Sequence, residues 1–136
     1  MKDKYMASAY REAEKAFMKN EVPVGAIIVK DGNIIARAHN KKITTNHVYG
    51  HAEMLAIQKA TRKTGDWRLN GCVMYVTLEP CPMCASAIQQ SRLESVYIGT
   101  RSNIKSNSEI VSTILDNNEF NHKVSVYYVE ELKCSK

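Results

Sequence analysis

Long apolar runs are missing from this 136-residue chain: no stretch approaches the ~20 apolar residues that cross a bilayer. Met1-Lys2-Asp3-Lys4-Tyr5 runs straight into a polar, amphipathic pattern with no apolar stretch of the signal-peptide kind, so no leader is expected. These absences argue against a helical membrane protein and make a cytoplasmic location the expectation. Internal repeats and low-complexity stretches are also lacking, which sets aside solenoid arrays and disordered linkers. Cysteine is scarce, with four residues in all. In a reducing compartment so few point to thiols or metal ligands rather than a disulfide framework. Cys72 opens an apolar run and reads as a small core residue, and Cys134 falls in a polar tail with no assigned role.

What is present is enough for one globular core, at 44% hydrophobic content. The formal net charge is +5 and the pI about 9.0. That mild positive field suits a phosphate-bearing partner or merely solvates a surface, and composition weighs the two equally.

Residues 3–20 carry Tyr5, Met6, Ala9, Ala13, Ala16 and Phe17 at helical spacing. The pattern predicts a surface helix with one buried stripe, Tyr10 and Phe17 included, stopping near Asn20. Val24 to Val29 reads as a strand, Asp31-Gly32 as a tight turn, and Ile34-Ile35-Ala36 as the returning strand of a hairpin. His39 to Gly50 is polar and reads as a loop. From His51 the pattern turns helical, with Leu55, Ala56, Ile57 and Ala60 inward, ending around Thr64-Gly65. Cys72 to Leu78 is a third strand, Cys81 to Ser91 a helix, and Ser95 to Gly99 a fourth strand. Residues 100–108 are a loop, Glu109 to Leu115 a short helix, and Val124 to Val129 a fifth strand. This order predicts an α/β chain with a five-stranded mixed sheet and helices on both faces.

The chemistry concentrates in His51-Ala52-Glu53 and Pro80-Cys81-Pro82-Met83-Cys84. Cys81 and Cys84 stand three apart at a helix start and so share a face. Pro82 suits the first turn, where a missing N–H costs nothing. The helix N-terminus favours thiolate, the form that binds metal. With the His51 imidazole, three ligands leave one tetrahedral position open, as in catalytic zinc sites, where bound water turns acidic near neutral pH. Glu53 reaches the same centre if its helix is aimed there end-on. A carboxylate so placed can carry a proton from water to a ring nitrogen and then to a leaving amine. His-x-Glu followed by Pro-Cys-x-x-Cys is the signature of zinc base deaminases, whose Glu is not a ligand, and the roles of these four residues follow that class.

The likeness extends further. Glu21-Val22-Pro23-Val24-Gly25-Ala26, Ala38-His39-Asn40, His51 to Ile57, Trp67-Arg68-Leu69 and Leu78 to Ala85 resemble the bacterial tRNA-specific adenosine deaminase family, as do Ser91-Arg92-Leu93 and Asn121-His122-Lys123-Val124. The resemblance covers most of residues 5–128. It implies a three-layer α/β/α cytidine deaminase-like fold and a single zinc-dependent deaminase domain over 1–136. It further implies one Zn2+ per subunit on His51, Cys81 and Cys84, with Glu53 catalytic. The implied assembly is a homodimer whose active sites neighbouring subunits complete. The implied reaction is conversion of adenosine to inosine at the wobble position of a tRNA anticodon stem-loop. Asn40 would then hydrogen-bond the base, with the Ala52 backbone and the Pro80 carbonyl lining the pocket.

Three departures fall on the RNA-holding periphery. The family has Asp-Pro-Thr-Ala ahead of its His-Ala-Glu, where this chain has His47-Val48-Tyr49-Gly50. After the fourth strand it has an acidic loop with Lys and Gly, where this chain has Arg101-Ser102-Asn103-Ile104-Lys105-Ser106. It also has a further C-terminal helix beyond the point where this sequence stops at Lys136. A free nucleobase or nucleoside (guanine, cytosine or an adenine derivative) is therefore the alternative substrate.

Plainer readings stand beside these. Cys81-x-x-Cys84 between a strand and a helix also suits a thiol redox pair. His47, four before His51, would complete a closed Cys₂His₂ structural zinc without chemistry. His39 and His122 read as surface or capping residues, and Asn40 as a turn cap unless the family likeness holds. Trp67 anchors either its loop or a dimer contact, and Lys41-Lys42 and Arg62-Lys63 are solvated faces or phosphate contacts.

Overall fold

The structure, a computed structural model, describes residues 2–116 and 122–129; Asn121, Cys134 and the rest of the polar tail lie outside the described residues. The chain runs α1 (Lys2–Met18), β1 (Gly25–Lys30), β2 (Asn33–His39), α2 (Lys42–Thr45), α3 (Ala52–Thr64), β3 (Cys72–Leu78), α4 (Pro82–Gln90), β4 (Ser95–Thr100), α5 (Asn107–Leu115) and β5 (Ser125–Tyr128). The expected hairpin forms, with Asp31 and Gly32 both at positive φ (51° and 78°). That pair of conformations is what a two-residue turn matched to strand twist requires, and an Asp-Gly pair supplies it cheaply.

The sheet order is β2-β1-β3-β4-β5. The β2–β1 and β1–β3 pairs are antiparallel, whereas β3–β4 and β4–β5 are parallel, with α4 and α5 as the crossovers. Alternation along each strand feeds two cores. Ala26, Ile28, Met74, Val76, Val96 and Ile98 face α3, α4 and α5, meeting Ala56, Ala60, Ile88, Val111 and Leu115. Ile27, Val29 and Tyr75 face the other way and pack with Tyr5, Met6 and Ala9 of α1. The result is the three-layer α/β/α arrangement expected. On the α1 face, Tyr75, Tyr97 and Tyr127 stand in register on β3, β4 and β5 and stack at 4.8 Å per step. At Gly25 an added Cβ would lie 2.1 Å from the Ala9 carbonyl oxygen, so α1 rests on β1 only because no side chain is there.

The fold departs from the sequence expectations in four places. Tyr10 is 42% and Phe17 67% exposed. They lie one residue, ~100°, round the helix from Ala9 and Ala16, just past the edge of the buried stripe. The stripe instead takes in Glu12, which is buried and hydrogen-bonded to the His39 ring at 3.2 Å. His39 is accordingly a buried residue, not a surface or capping one. Within the expected loop, α2 forms because the Glu21 carboxylate accepts hydrogen bonds from the Ile43 and Thr44 backbone N–H groups at 3.1 and 2.6 Å. Finally, α5 begins at Asn107, two residues earlier than the apolar pattern suggests.

Candidate metal centre

The two chemical stretches meet at the ends of two helices. His51 is the N-cap of α3 and Cys81 the N-cap of α4, both with extended backbone and neither using its side chain as a cap. Those side chains are therefore available to a shared centre. Pro82 occupies the first turn of α4, as expected. The chain reaches these caps from the carboxyl ends of β2 and β3, the side on which open α/β sheets place their ligands.

His51 Nδ1 lies 3.7 Å from Cys81 Sγ and 3.4 Å from Cys84 Sγ, and the three ligand atoms fall within 4.8 Å of one another. A tetrahedral zinc with ordinary Zn–S and Zn–N bonds sets sulfur and nitrogen ligands ~3.6 Å apart. The observed separations bracket that value, so the donor set fits zinc in both chemistry and spacing. Cys84 is buried, while His51 and Cys81 are half-buried. His47 is not in the cluster; it is exposed and stacks on Tyr49 with ring centroids 4.8 Å apart. Among the described residues this is the only cluster of three such donors, so the closed Cys₂His₂ site lacks its second histidine.

The electrostatics divide labour. A hydrogen bond from the Cys84 thiol, aided by the His51 ring and the backbone of α4, brings Cys81 down to about 5. Cys84, as the donor in that bond and as a buried group, is pushed up. Glu53, in the first turn of α3, is 4% exposed, and burial raises its carboxyl to about 7. Its own backbone N–H and the Cys84 thiol oppose that rise, and the nearby Cys81 charge adds to it. A carboxyl poised near neutrality beside the donor cluster can both accept and return a proton.

Val22, Val24, Leu78 and Glu79 join Asn40, His51, Glu53 and Cys81 around a cleft of about 170 Å³. Asn40 is buried, and its Oδ1 accepts the Ala52 backbone N–H at 2.8 Å. The Pro80 carbonyl accepts a hydrogen bond from Asn107 Nδ2 at 3.0 Å. A larger hollow of about 340 Å³ on the outside of α5 holds only one acidic group, Glu109, so size does not mark the chemistry.

Motif spacing does not single out Glu79, which is buried beside the metal stretch and receives hydrogen bonds from Asn107, Ser108 and Tyr128. Its place directly before Pro80-Cys81 is visible in the sequence, but its partners lie 28, 29 and 49 residues away. Trp67 is 57% exposed, with the Arg68 and Arg92 guanidinium groups 5.4 and 5.6 Å from its ring.

Residues 1–100 match the family model for the cytidine and deoxycytidylate deaminase zinc-binding region. A protein of Bacillus subtilis (strain 168) named tRNA-specific adenosine deaminase is 48% identical over 122 residues, which are 90% of this chain and 76% of that protein. A solved structure from studies of A-to-I editing by tRNA:A34 deaminases superposes with a TM-score of 0.84 at 37% identity, covering 93% of this chain and 97% of the other. The guanine deaminase of Bacillus subtilis superposes with a TM-score of 0.73 at 34% identity, covering 79% and 69%.

Proposed function

The chain belongs to the zinc-binding cytidine and deoxycytidylate deaminase family and, within it, to the tRNA-specific adenosine deaminases, and we propose that it converts adenosine to inosine at the wobble position of a tRNA anticodon. The observation that carries this reading is the convergence of His51, Cys81 and Cys84 beside a buried Glu53 at one cleft.

In this reading residues 1–136 act as one deaminase domain in the cytoplasm. His51, Cys81 and Cys84 hold Zn2+, which when bound supplies a water acidic enough to attack at neutral pH. Glu53 takes a proton from the attacking water at a carboxylate oxygen, gives it to a purine ring nitrogen and helps the amine depart. Atoms balance as adenosine plus water giving inosine plus ammonia. With Asn40 Oδ1 occupied by Ala52, the Asn40 Nδ2 hydrogens are the ones offered to a base, and the Ala52 backbone is held rigid by the same bond. The Pro80 carbonyl, one lone pair engaged by Asn107, keeps the other for the amine side of the pocket. The target nucleotide leaves its stack to enter a cleft of this size.

A homodimer accords with the apolar surface on α2, the segment that follows it, and α3. Ile43, Val48 and Tyr49 are exposed there, and Leu55 and Ile57 of α3 are half-buried. The second reading, deamination of a free purine base, is favoured by the likeness to guanine deaminase alone.

The test is ammonia release measured side by side on an anticodon stem-loop, guanine, cytosine and adenosine. Turnover of the stem-loop is expected, with a KM that climbs steeply as salt rises, since phosphate contacts release counterions. Turnover of guanine with a salt-independent KM would favour the second reading.

A further inference from the structure

Glu79 is 4% exposed, yet its carboxylate is ringed by donors. Oε1 accepts from Asn107 Nδ2 at 2.8 Å and from the Ser102 N–H at 3.4 Å. Oε2 accepts from the Ser108 hydroxyl at 2.6 Å and the Tyr128 hydroxyl at 2.5 Å. Asn107, the first residue of α5 and itself 5% exposed, also meets the Pro80 carbonyl at 3.0 Å with the same nitrogen. A side-chain amide has two hydrogens, and here one goes to each acceptor.

The two acceptors differ in kind. Glu79 offers a side chain that locks Asn107 in orientation. The Pro80 carbonyl belongs to the peptide plane joining Pro80 to Cys81, so holding its oxygen fixes the direction in which the chain enters Cys81. Cys81 has extended backbone and no capping bond of its own at the head of α4. The Cys84 thiol and the first backbone N–H groups of α4 reach its sulfur, while the plane that precedes it sets the direction from which its own backbone, and so its side chain, enters the centre. A metal site tolerates little error in such a placement.

We propose that Asn107, held by Glu79, is a positioning residue for the metal centre, aiming Cys81 through the Pro80 carbonyl. The inference rests on the zinc deaminase reading of the site. It does not make Asn107 a ligand or a substrate contact.

The test compares Asn107→Ala and Asn107→Asp with the unaltered full chain. The zinc dissociation constant is measured on folded protein by competition with a chromogenic chelator, alongside kcat and KM on the turned-over substrate. Loss of an outer partner of this type is expected to raise the zinc dissociation constant about 10-fold in Asn107→Ala. The same variant should lose more in kcat than it gains in KM, because Asn107 itself touches no substrate and reaches the pocket only through the Pro80 carbonyl. Asn107→Asp, which turns oxygens toward both Glu79 and Pro80, should be worse than Asn107→Ala. A role confined to packing lowers thermal stability but leaves the zinc affinity of the folded protein unchanged, and that result overturns the proposal. Where Asn107→Ala does not fold, Asn107→Ser carries the test. Its hydroxyl can serve one acceptor but not both, so a raised zinc dissociation constant is expected and an unchanged one overturns the proposal. The affinity measurement needs no substrate. Failure of the unaltered protein to deaminate anything would sink the functional reading alone, and unchanged zinc affinity in an active enzyme would sink this one alone.

Discussion

Glu53 and Glu79 line the same cleft and are each 4% exposed, but their acidities move in opposite directions. Burial pushes Glu53 up to about 7. Burial presses on Glu79 as well, yet hydrogen bonds from Ser108, Tyr128, Asn107 and the Ser102 backbone outweigh it and hold the carboxyl below its ordinary value. Similar surface exposure thus accompanies one carboxyl ready to exchange a proton and one fixed as an anion, with Glu53 lying the deeper of the two. What separates them is depth, which costs Glu53 more, together with the number of protein donors aimed at the charge, which favours Glu79. A mobile proton needs a carboxylate that the fold leaves poorly supported, and a strut needs the reverse.

Metal should separate the two most strongly. Zinc at about 1,000 times its dissociation constant stabilises a protein that binds it only when folded by about 4 kcal/mol. Thermal melts of the unaltered protein with and without zinc should show that gain, and Cys84→Ala should show none. The added charge lies beside Glu53, so its carboxyl should fall from about 7 on zinc addition, with Glu79 unmoved, as infrared carboxylate bands can report.

The next effect falls on Glu79. In Glu79→Gln one acceptor oxygen and an NH₂ group face four donors, and a loss of about 3 kcal/mol is expected at pH 7 by urea denaturation. A depressed carboxyl contributes stability above its ordinary value that disappears as pH falls through the folded value. The penalty of the substitution should therefore shrink below pH ~4.

A smaller effect of opposite sign belongs to Glu53. A raised carboxyl costs stability that begins as pH rises through the ordinary range and is complete above about 7. The shift sets an upper limit of about 3 kcal/mol, and Gln must still be buried, so Glu53→Gln should stabilise the metal-free protein by about 1–2 kcal/mol at pH 7.5. Near pH 4 the gain should vanish. The smallest change is Tyr128→Phe, which removes one of the Glu79 donors and keeps the ring under Arg101; about 1 kcal/mol is expected.

The same contrast explains what could be read from the chain alone. His51, Glu53, Cys81 and Cys84 declare themselves through local spacing, because two helix starts bring each pair to one end. Strands β1 to β4 and the Asp31-Gly32 turn follow from apolar alternation and turn chemistry, which are local as well. Glu79 and Glu12 were legible only as charges. Their partners are set by tertiary packing, with His39 27 residues from Glu12 and Tyr128 49 from Glu79. Tyr10 and Phe17 misled for a geometric reason: a stripe on a straight helix has edges, and they stand just beyond one.

In the proposed reaction Glu53 moves protons next to a bound metal without holding it. The direct measurement is inosine formation in an anticodon stem-loop by Glu53→Gln, with zinc content determined on the same sample. One zinc per chain and turnover lowered ~10²–10⁴-fold are predicted, the range a positioned acid–base group supplies. Turnover at the unaltered rate, or a sample that has lost its zinc, would contradict it.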